Sequence, residues 1–143
     1  MLCPLGERHF HHIFPDDLLS KAGVENSYIA LNCALIKDAT NWNIGKKEPL
    51  KYLAERCKLA TEDEVRGRLA SHLIPIEEVQ CGGYDGMEPA ARKKAVAKDY
   101  DAFVRSRAQL VQAKALELGG FKDRGVSRNQ QVSEPPTAAA STN

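Results

Sequence analysis

The chain has 143 residues, of which 43% are hydrophobic and 27% are charged, and this balance predicts one globular domain with a core of moderate size. It excludes collagen-like, coiled-coil and wholly disordered chains. The 20 basic and 19 acidic residues leave a formal net charge of +1, so the bulk charge does not indicate a nucleic-acid-binding protein, and such a function would depend on a local patch.

The first part of the chain predicts two short strands. Residues 8–13 and 31–36 are the best strand candidates, and the connector between them begins at Pro15 and contains Gly23. Residues 37–43, after the second candidate, indicate the beginning of a short helix. The predicted order is therefore strand, connector, strand, helix.

The middle of the chain predicts helices. Apolar residues recur with helical period from Pro49 onward, which favours a helix that starts there. Thr61 and Glu64 have the spacing of a capping box, in which each side chain accepts a hydrogen bond from the other residue's backbone N–H. Val65, Leu69 and Leu73 are then expected on the buried face of this second helix. Pro75 is expected to end the helical region.

The longest predicted helix covers residues 88–118, about 45 Å at 1.5 Å per residue. Pro89 suits its first turn, and Gly119 suits its end. We expect the folded domain to cover residues 1–120. Residues 121–143 form a polar tail that ends in EPPTAAASTN and is expected to be disordered.

The sequence indicates a cytoplasmic protein without a membrane segment. It contains no apolar run of the ~18 residues needed to span a bilayer, and its N-terminus lacks the features of a signal peptide. The four cysteines, Cys3, Cys33, Cys57 and Cys81, form no C-x-x-C pair and are expected to be free thiols.

Three of the four histidines stand close together just before Pro15. In a regular strand, His9 and His11 share one face and His12 lies on the other. His11 and His12 can therefore serve one site only if the strand ends there and the backbone turns, which Pro15 favours. One imidazole could then bind a metal ion while its neighbour acts as a base. The alternative is a histidine cluster at a sheet edge without chemical function.

Two asparagines extend this pattern. Asn32 lies at the start of the second predicted strand, and Asn41 follows nine residues later at the start of the next helix. Neutral oxygen and imidazole ligands leave most of the charge of a divalent ion unneutralised. That residual charge suits an anionic phosphodiester.

These segments together resemble an HNH nuclease, the ββα-metal fold. The resemblance is carried by HHIFP at 11–15, LNCALI at 31–36, TN at 40–41, and the GKK and PLKYL segments that follow. It continues through SHLIP at 71–75 and YDAFVRSR at 100–107. The most similar variant is the C-terminal nuclease domain of GmrSD-type restriction endonucleases, which are type IV and modification-dependent. The resemblance implies an α+β fold, with a small ββα-metal core followed by C-terminal helices that include one long helix.

The resemblance also implies roles for four residues. His12 matches the general base that takes a proton from the attacking water. His11 and Asn41 match the metal ligands. Asn32 matches the middle asparagine, whose side chain pins the loop or orients the base. A neutral imidazole suits the first role, since histidine is the best side-chain base near pH 7 and contributes roughly 10²- to 10⁴-fold to a rate.

The implied cofactor is a divalent metal ion, with Mg²⁺ as the first expectation. Many HNH proteins carry a carboxylate at the position of His11 and a histidine at that of Asn41, so Mn²⁺, Ni²⁺ and Zn²⁺ compete here with Mg²⁺. Lys37, Lys46 and Lys47 lie in a cationic stretch, which also contains Lys51, and are expected to contact the phosphates of DNA, with RNA left open. Larger family members have an N-terminal domain connected with nucleotide use and modified DNA. A separate recognition or NTP-using domain or subunit is therefore an expected partner.

The leading prediction is an HNH-type, metal-dependent endonuclease that hydrolyses DNA phosphodiester bonds in the restriction of foreign DNA. One alternative is a non-catalytic remnant that binds nucleic acid or a partner protein through the long helix. Another is a structural zinc module built from His9, His11, His72 and a cysteine. Asp16 and Asp17 could be additional ligands, although an acidic pair after a proline is more typical of a helix start.

Overall fold

The computed structural model of the protein describes residues 8–27, 29–37 and 44–120. The elements in chain order are strand β1 (Arg8–His12), helix α1 (Asp16–Ala22), a 3₁₀ turn (Ala30–Asn32), strand β2 (Cys33–Lys37), and helices α2 (Pro49–Cys57), α3 (Glu62–Ser71), α4 (Ile76–Val79) and α5 (Pro89–Leu118). The two strands form an antiparallel sheet. This arrangement confirms the predicted α+β class, with a small sheet at the start and a long helix at the end.

The strands pair in a register that runs from Arg8 opposite Lys37 to His12 opposite Cys33. β1 stops at His12, one residue before the predicted end at 13. Residues 13, 14 and 15 are all buried, and three consecutive residues cannot all face a core in a regular strand, because strand side chains alternate between two faces. β2 begins two residues later than predicted, because the Asn32 N–H donates to the carbonyl of Ile29 (2.8 Å) and closes the 3₁₀ turn.

The segment between the strands contains a helix of its own. α1 begins directly after Pro15 and carries Asp16 and Asp17 in its first turn, where negative charge is favoured by the helix dipole. It ends at Gly23, whose φ of 79° lies in the left-handed region that glycine adopts most easily. Leu18 and Leu19 are buried where α1 packs against α5.

The capping box at α3 is confirmed. The Glu64 N–H donates to Thr61 Oγ1 (3.3 Å), and the Thr61 N–H donates to Glu64 Oε2 (2.9 Å). The prediction that Pro75 ends the helical region is wrong, because Pro75 is the N-cap of the short helix α4. Leu73, expected on the buried face of α3, lies beyond the helix end with a left-handed φ of 53° and is only half-buried.

The core lies between the turn after β1 and the first two thirds of α5. Phe14 is fully buried, with its ring centroid 5.4 Å from that of Tyr100 and 5.1 Å from that of Phe103. Such tilted and edge-on ring pairs are a favourable aromatic geometry. The HHIFP segment therefore supplies a central core residue two positions after His12.

The end of α5 carries apolar side chains that the core does not cover. Leu110, Val111, Leu116 and Leu118 are exposed, by between 38% and 76%. The helix stops at Gly119 as predicted, but Gly119 keeps a right-handed φ of −77°, and Gly120 takes the left-handed one at 65°. Residues 121–143, expected to be disordered, lie outside the described residues.

Cys33, Cys57 and Cys81 are free thiols, as predicted, and Cys3 lies outside the described residues. Among the described residues, no helix is both long enough and apolar enough to cross a membrane.

Candidate active site

A cleft of about 380 Å³ lies where β1 ends and α1 begins. His11 and His12 both line it. Lys46 lines the cleft from the segment before α2, and Asp16 and Asp17 line it from the first turn of α1. The cleft is therefore lined by two histidines, two aspartates and a lysine, and it is the candidate active site.

The end of β1 explains how two neighbouring histidines reach one cleft. His11 is buried, with 9% of its surface exposed, whereas His12 is half-buried. Their side chains leave a regular strand on opposite faces. The chain bends at residues 13 and 14 and enters α1 at Pro15, so the cleft forms around the strand end and both histidines line it.

Asn32 fixes the backbone directly after the histidine pair. Its side chain is fully buried, and Oδ1 accepts a hydrogen bond from the Phe14 N–H (2.9 Å). Nδ2 donates to the carbonyls of Phe14 (3.0 Å) and Ser27 (2.8 Å). The Asn32 carbonyl also accepts from the Ile13 N–H (2.8 Å). The amide thus pairs with both polar backbone groups of Phe14, as a neighbouring strand would, and ties them to the loop that precedes β2.

Tyr52 of α2 holds the same turn from another side. Its hydroxyl donates to the carbonyl of Ile13 (3.2 Å), so α2 is joined to the residue that follows His12. Burial raises the pKa of Tyr52 above its ordinary value, because the charged phenolate is disfavoured away from water. The hydroxyl therefore stays protonated and able to donate. No role is predicted for Tyr52 from the sequence, although it belongs to the PLKYL segment.

Arg107 of α5 holds the backbone before and after Asn32. It is buried, with 7% exposed, and its Nη1 donates to the carbonyls of Leu31 (2.7 Å) and Cys33 (2.9 Å), the two neighbours of Asn32. Nη2 donates to the carbonyl of His72 at the end of α3 (3.3 Å). Burial lowers the pKa of Arg107, since desolvation disfavours the charged form. One guanidinium thus joins α5, α3 and the start of β2.

Arg107→Lys is expected to lower the free energy of unfolding by about 1.5 to 3 kcal/mol, because an ammonium group cannot reproduce the planar fork that holds two carbonyls, and hydrogen bonds to charged groups have this worth. Urea titration measures the change. Arg105→Lys is the matched control. Arg105 lies two residues before Arg107 in α5 and forms an exposed ion pair with Asp101, so this variant should change stability by less than about 0.5 kcal/mol. Equal effects of the two variants would contradict a structural role for the buried fork.

Charges inside the cleft are partly compensated by their neighbours. Asp17 accepts a hydrogen bond from Lys21 (2.8 Å), which lowers the pKa of Asp17, and Lys46 acts in the same direction. Asp16 accepts a hydrogen bond from the Ser27 hydroxyl. The acidic pair thus has structural partners at the start of α1, while Lys46 brings positive charge to the same cleft.

The predicted phosphate-contacting lysines differ in their surroundings. Lys46 is exposed and lines the cleft, and Lys37 is exposed at the end of β2. Lys47, by contrast, forms an ion pair with Glu55 (2.6 Å), and Lys51 forms one with Asp85. Carboxylates therefore offset part of the cationic stretch seen in the sequence.

The described residues provide only part of the predicted metal centre. His11 lines the cleft, but Asn41, the second predicted ligand, lies outside the described residues. Within ranges 8–27, 29–37 and 44–120, no three His, Cys, Asp or Glu side chains are placed to hold a metal ion together. The same finding gives the zinc-module alternative no support in this part of the chain. His72, one of its proposed ligands, is exposed at the C-cap of α3.

Comparison with known proteins shows a relative in the archaeon Methanocaldococcus jannaschii. This uncharacterized protein is 33% identical over 119 residues, a match that covers 76% of this chain and 20% of the relative. The chain thus spans about a fifth of the length of the curated relative it matches. No family model and no solved structure matches the chain.

Proposed function

We propose that this chain is a metal-dependent DNA endonuclease domain of the HNH type, with His12 as its general base. The observation that supports the proposal best is that His11 and His12, adjacent in sequence, border one cleft together with Lys46. Asn32 fixes the backbone immediately after the pair. A base, a neighbouring imidazole ligand and a cation for the phosphate are the groups that hydrolysis of a phosphodiester needs.

Each residue has a distinct part in this proposal. His12, half-buried at the cleft, takes a proton from the water that attacks phosphorus. Lys46 attracts the phosphate by its positive charge, a contact that is independent of base sequence. Asn32 is fully buried and acts as a positioning residue, because its amide holds the backbone directly after the histidines. RNA stays an open alternative to DNA as the substrate.

The metal ion in the proposal would be held by His11 and Asn41. An imidazole and an amide oxygen are both known ligand types for divalent ions. When bound, the ion would neutralise negative charge that develops on the phosphate oxygens during cleavage. Mg²⁺ is the first choice, and Mn²⁺, Ni²⁺ or Zn²⁺ would suit the same neutral donors.

The purified chain is expected to nick supercoiled plasmid DNA when Mg²⁺, Mn²⁺ or Ni²⁺ is added, and to stop when a chelator removes the ion. Agarose gels measure the conversion to open circles. His11→Gln is expected to raise the metal concentration needed for half-maximal nicking by at least about tenfold, as loss of a ligand should. The ion should also raise the melting temperature of the wild type more than that of this variant, since binding to the folded state stabilises it.

His9→Gln is the matched control for this experiment. His9 lies on the same strand, is exposed and does not line the cleft, so the variant should keep the wild-type metal requirement. Nicking that survives chelation, or its absence with every ion tested, would contradict the proposal. If the two glutamine variants responded equally to metal, His11 would not be a metal ligand.

The second candidate is a non-catalytic module that binds a partner protein through α5. The exposed apolar side chains Leu110, Val111, Leu116 and Leu118 at the end of that helix favour it, because exposed apolar surface is a feature of interaction sites. This candidate predicts binding without cleavage and no response to His12→Ala.

A companion domain or subunit belongs to the same proposal. The match covers about a fifth of a much longer relative, which is compatible with a unit that works beside others. In this proposal the companion supplies recognition or NTP use. We propose a cytoplasmic location and a role in the restriction of foreign DNA.

A further inference from the structure

Phe10 is exposed at the edge of the candidate active site. Six aromatic side chains fall within the described ranges; five are buried, at 6% exposed or less, while Phe10 is 79% exposed. Phe10 also lines the cleft that contains His11, His12 and Lys46. An exposed aromatic residue therefore lies at the place where the proposed chemistry occurs.

The strand geometry sets Phe10 on the same side of β1 as His12. Side chains two positions apart in a strand share a face and are separated by about 6.6 Å along it. The cleft is thus lined by residues that carry a flat apolar ring, an imidazole and an ammonium group. A nucleotide has the complementary parts, since a flat base lies next to an anionic phosphate.

We propose that Phe10 stacks on an unpaired nucleobase next to the phosphate that the cleft takes, so that the preferred substrate is single-stranded or locally unpaired nucleic acid. This inference rests on the proposed nuclease function and adds the substrate class. A base inside a duplex already stacks on both neighbours, and its face becomes available to a side chain only when the base leaves the helix. Stacking on an aromatic ring tolerates every base, because each has a π-face.

The test measures binding in the presence of a chelator, so that no cleavage takes place. Fluorescence anisotropy compares a labelled single-stranded oligonucleotide with the same strand in a duplex, for wild type and Phe10→Ala. The variant is expected to bind the single strand roughly 5- to 100-fold more weakly, as the loss of one stacked base predicts, and the duplex less than about twofold more weakly. Phe10→Trp should retain single-strand binding.

Leu59→Ala is the matched control, because Leu59 is also 79% exposed but does not line the cleft. It should leave both affinities unchanged. A 2-aminopurine base in the single strand gives a direct readout, since its fluorescence falls when it stacks on a ring. This quenching should be present with wild type and lost with Phe10→Ala. Melting temperatures verify that each variant is folded.

The outcomes separate this inference from the nuclease proposal. Single-strand binding that depends on Phe10, in a chain that never cleaves, would support the stacking role and overturn the proposed hydrolysis. Cleavage that proceeds while Phe10→Ala binds single strands normally would overturn the stacking role alone. The stacking role would also be overturned if the wild type bound no nucleic acid, or if Phe10→Ala weakened binding to single strand and duplex equally. Either result would favour a contact between Phe10 and another polypeptide.

Discussion

Replacing His12 by alanine is expected to slow DNA cleavage roughly 10²- to 10⁴-fold, the range that a positioned general base contributes. The fold should be retained, because His12 is only half-buried at the end of β1 and lies outside the buried core. Single-turnover nicking under saturating metal measures the rate of the chemical step. Circular dichroism and the melting temperature verify that the variant is folded.

Free imidazole in the buffer should restore part of the lost rate, since a cleft of about 380 Å³ has room for a small base in place of the deleted ring. His9→Ala is the control on the same strand, because His9 is exposed and does not line the cleft. It should cleave like the wild type and show no response to imidazole. If His12→Ala cleaved equally well, the assignment of His12 as base would fail.

Asn32→Ala is expected to lower the free energy of unfolding by about 3 to 5 kcal/mol, which is a large part of the total stability of a small domain. The substitution removes three hydrogen bonds at once. It leaves the N–H and carbonyl of Phe14 and the carbonyl of Ser27 buried without their amide partner. Urea unfolding measures the loss. Cleavage should fall as well, since the backbone after the histidines is no longer held.

Asn32→Asp tests the two hydrogen bonds that the amide donates separately from the one that it accepts. A carboxylate can still accept from the Phe14 N–H, but it faces two carbonyl oxygens in a buried position. The folded state therefore favours the protonated acid and raises the pKa of the new carboxyl group above its unfolded value of about 3.9. The folded variant then binds more protons than the unfolded chain, so its stability falls as the pH rises.

The stability deficit of Asn32→Asp should accordingly be larger at about pH 7.5 than at about pH 5, while that of Asn32→Ala stays constant over this range. Asn26→Ala is the control. Asn26 has an exposed side chain, and its carbonyl accepts a hydrogen bond from the Tyr100 hydroxyl (3.0 Å). A deficit of Asn32→Ala as small as that of Asn26→Ala would show that the buried amide does not hold the turn.

The residues that mark element ends predicted most of the helical structure. Pro49 and Pro89 start helices, and Thr61 with Glu64 caps another, because these residue types satisfy or lack backbone donors locally. The strands were predicted less well, with ends displaced by one or two residues. Their limits depend on the turn around Asn32 and on the consecutive burial of residues 13–15, which alternation alone does not predict.

The sequence predicted the central residues of the candidate site but not the residues that hold the backbone around it. His11, His12 and Asn32 stand out in the sequence, and the structure places the first two at one cleft, with Asn32 beneath the turn that follows. Tyr52 and Arg107, which were missed, donate hydrogen bonds to backbone carbonyls of other elements. Only the spacing of Arg107, four residues after Phe103 on the buried face of α5, could have indicated its burial.

The positions of α2, α3 and α5 and the identity of the histidine pair followed from the sequence by itself, because capping, helical periodicity and strand alternation act between residues that are neighbours along the chain. Whether two histidines whose side chains leave a strand on opposite faces could line one cleft was decided only by the tertiary structure. The bend that makes this arrangement possible is held by Asn32, Tyr52 and the packing of Phe14 against α5. These contacts join residues far apart in the chain, and their geometry exists only once the domain has folded.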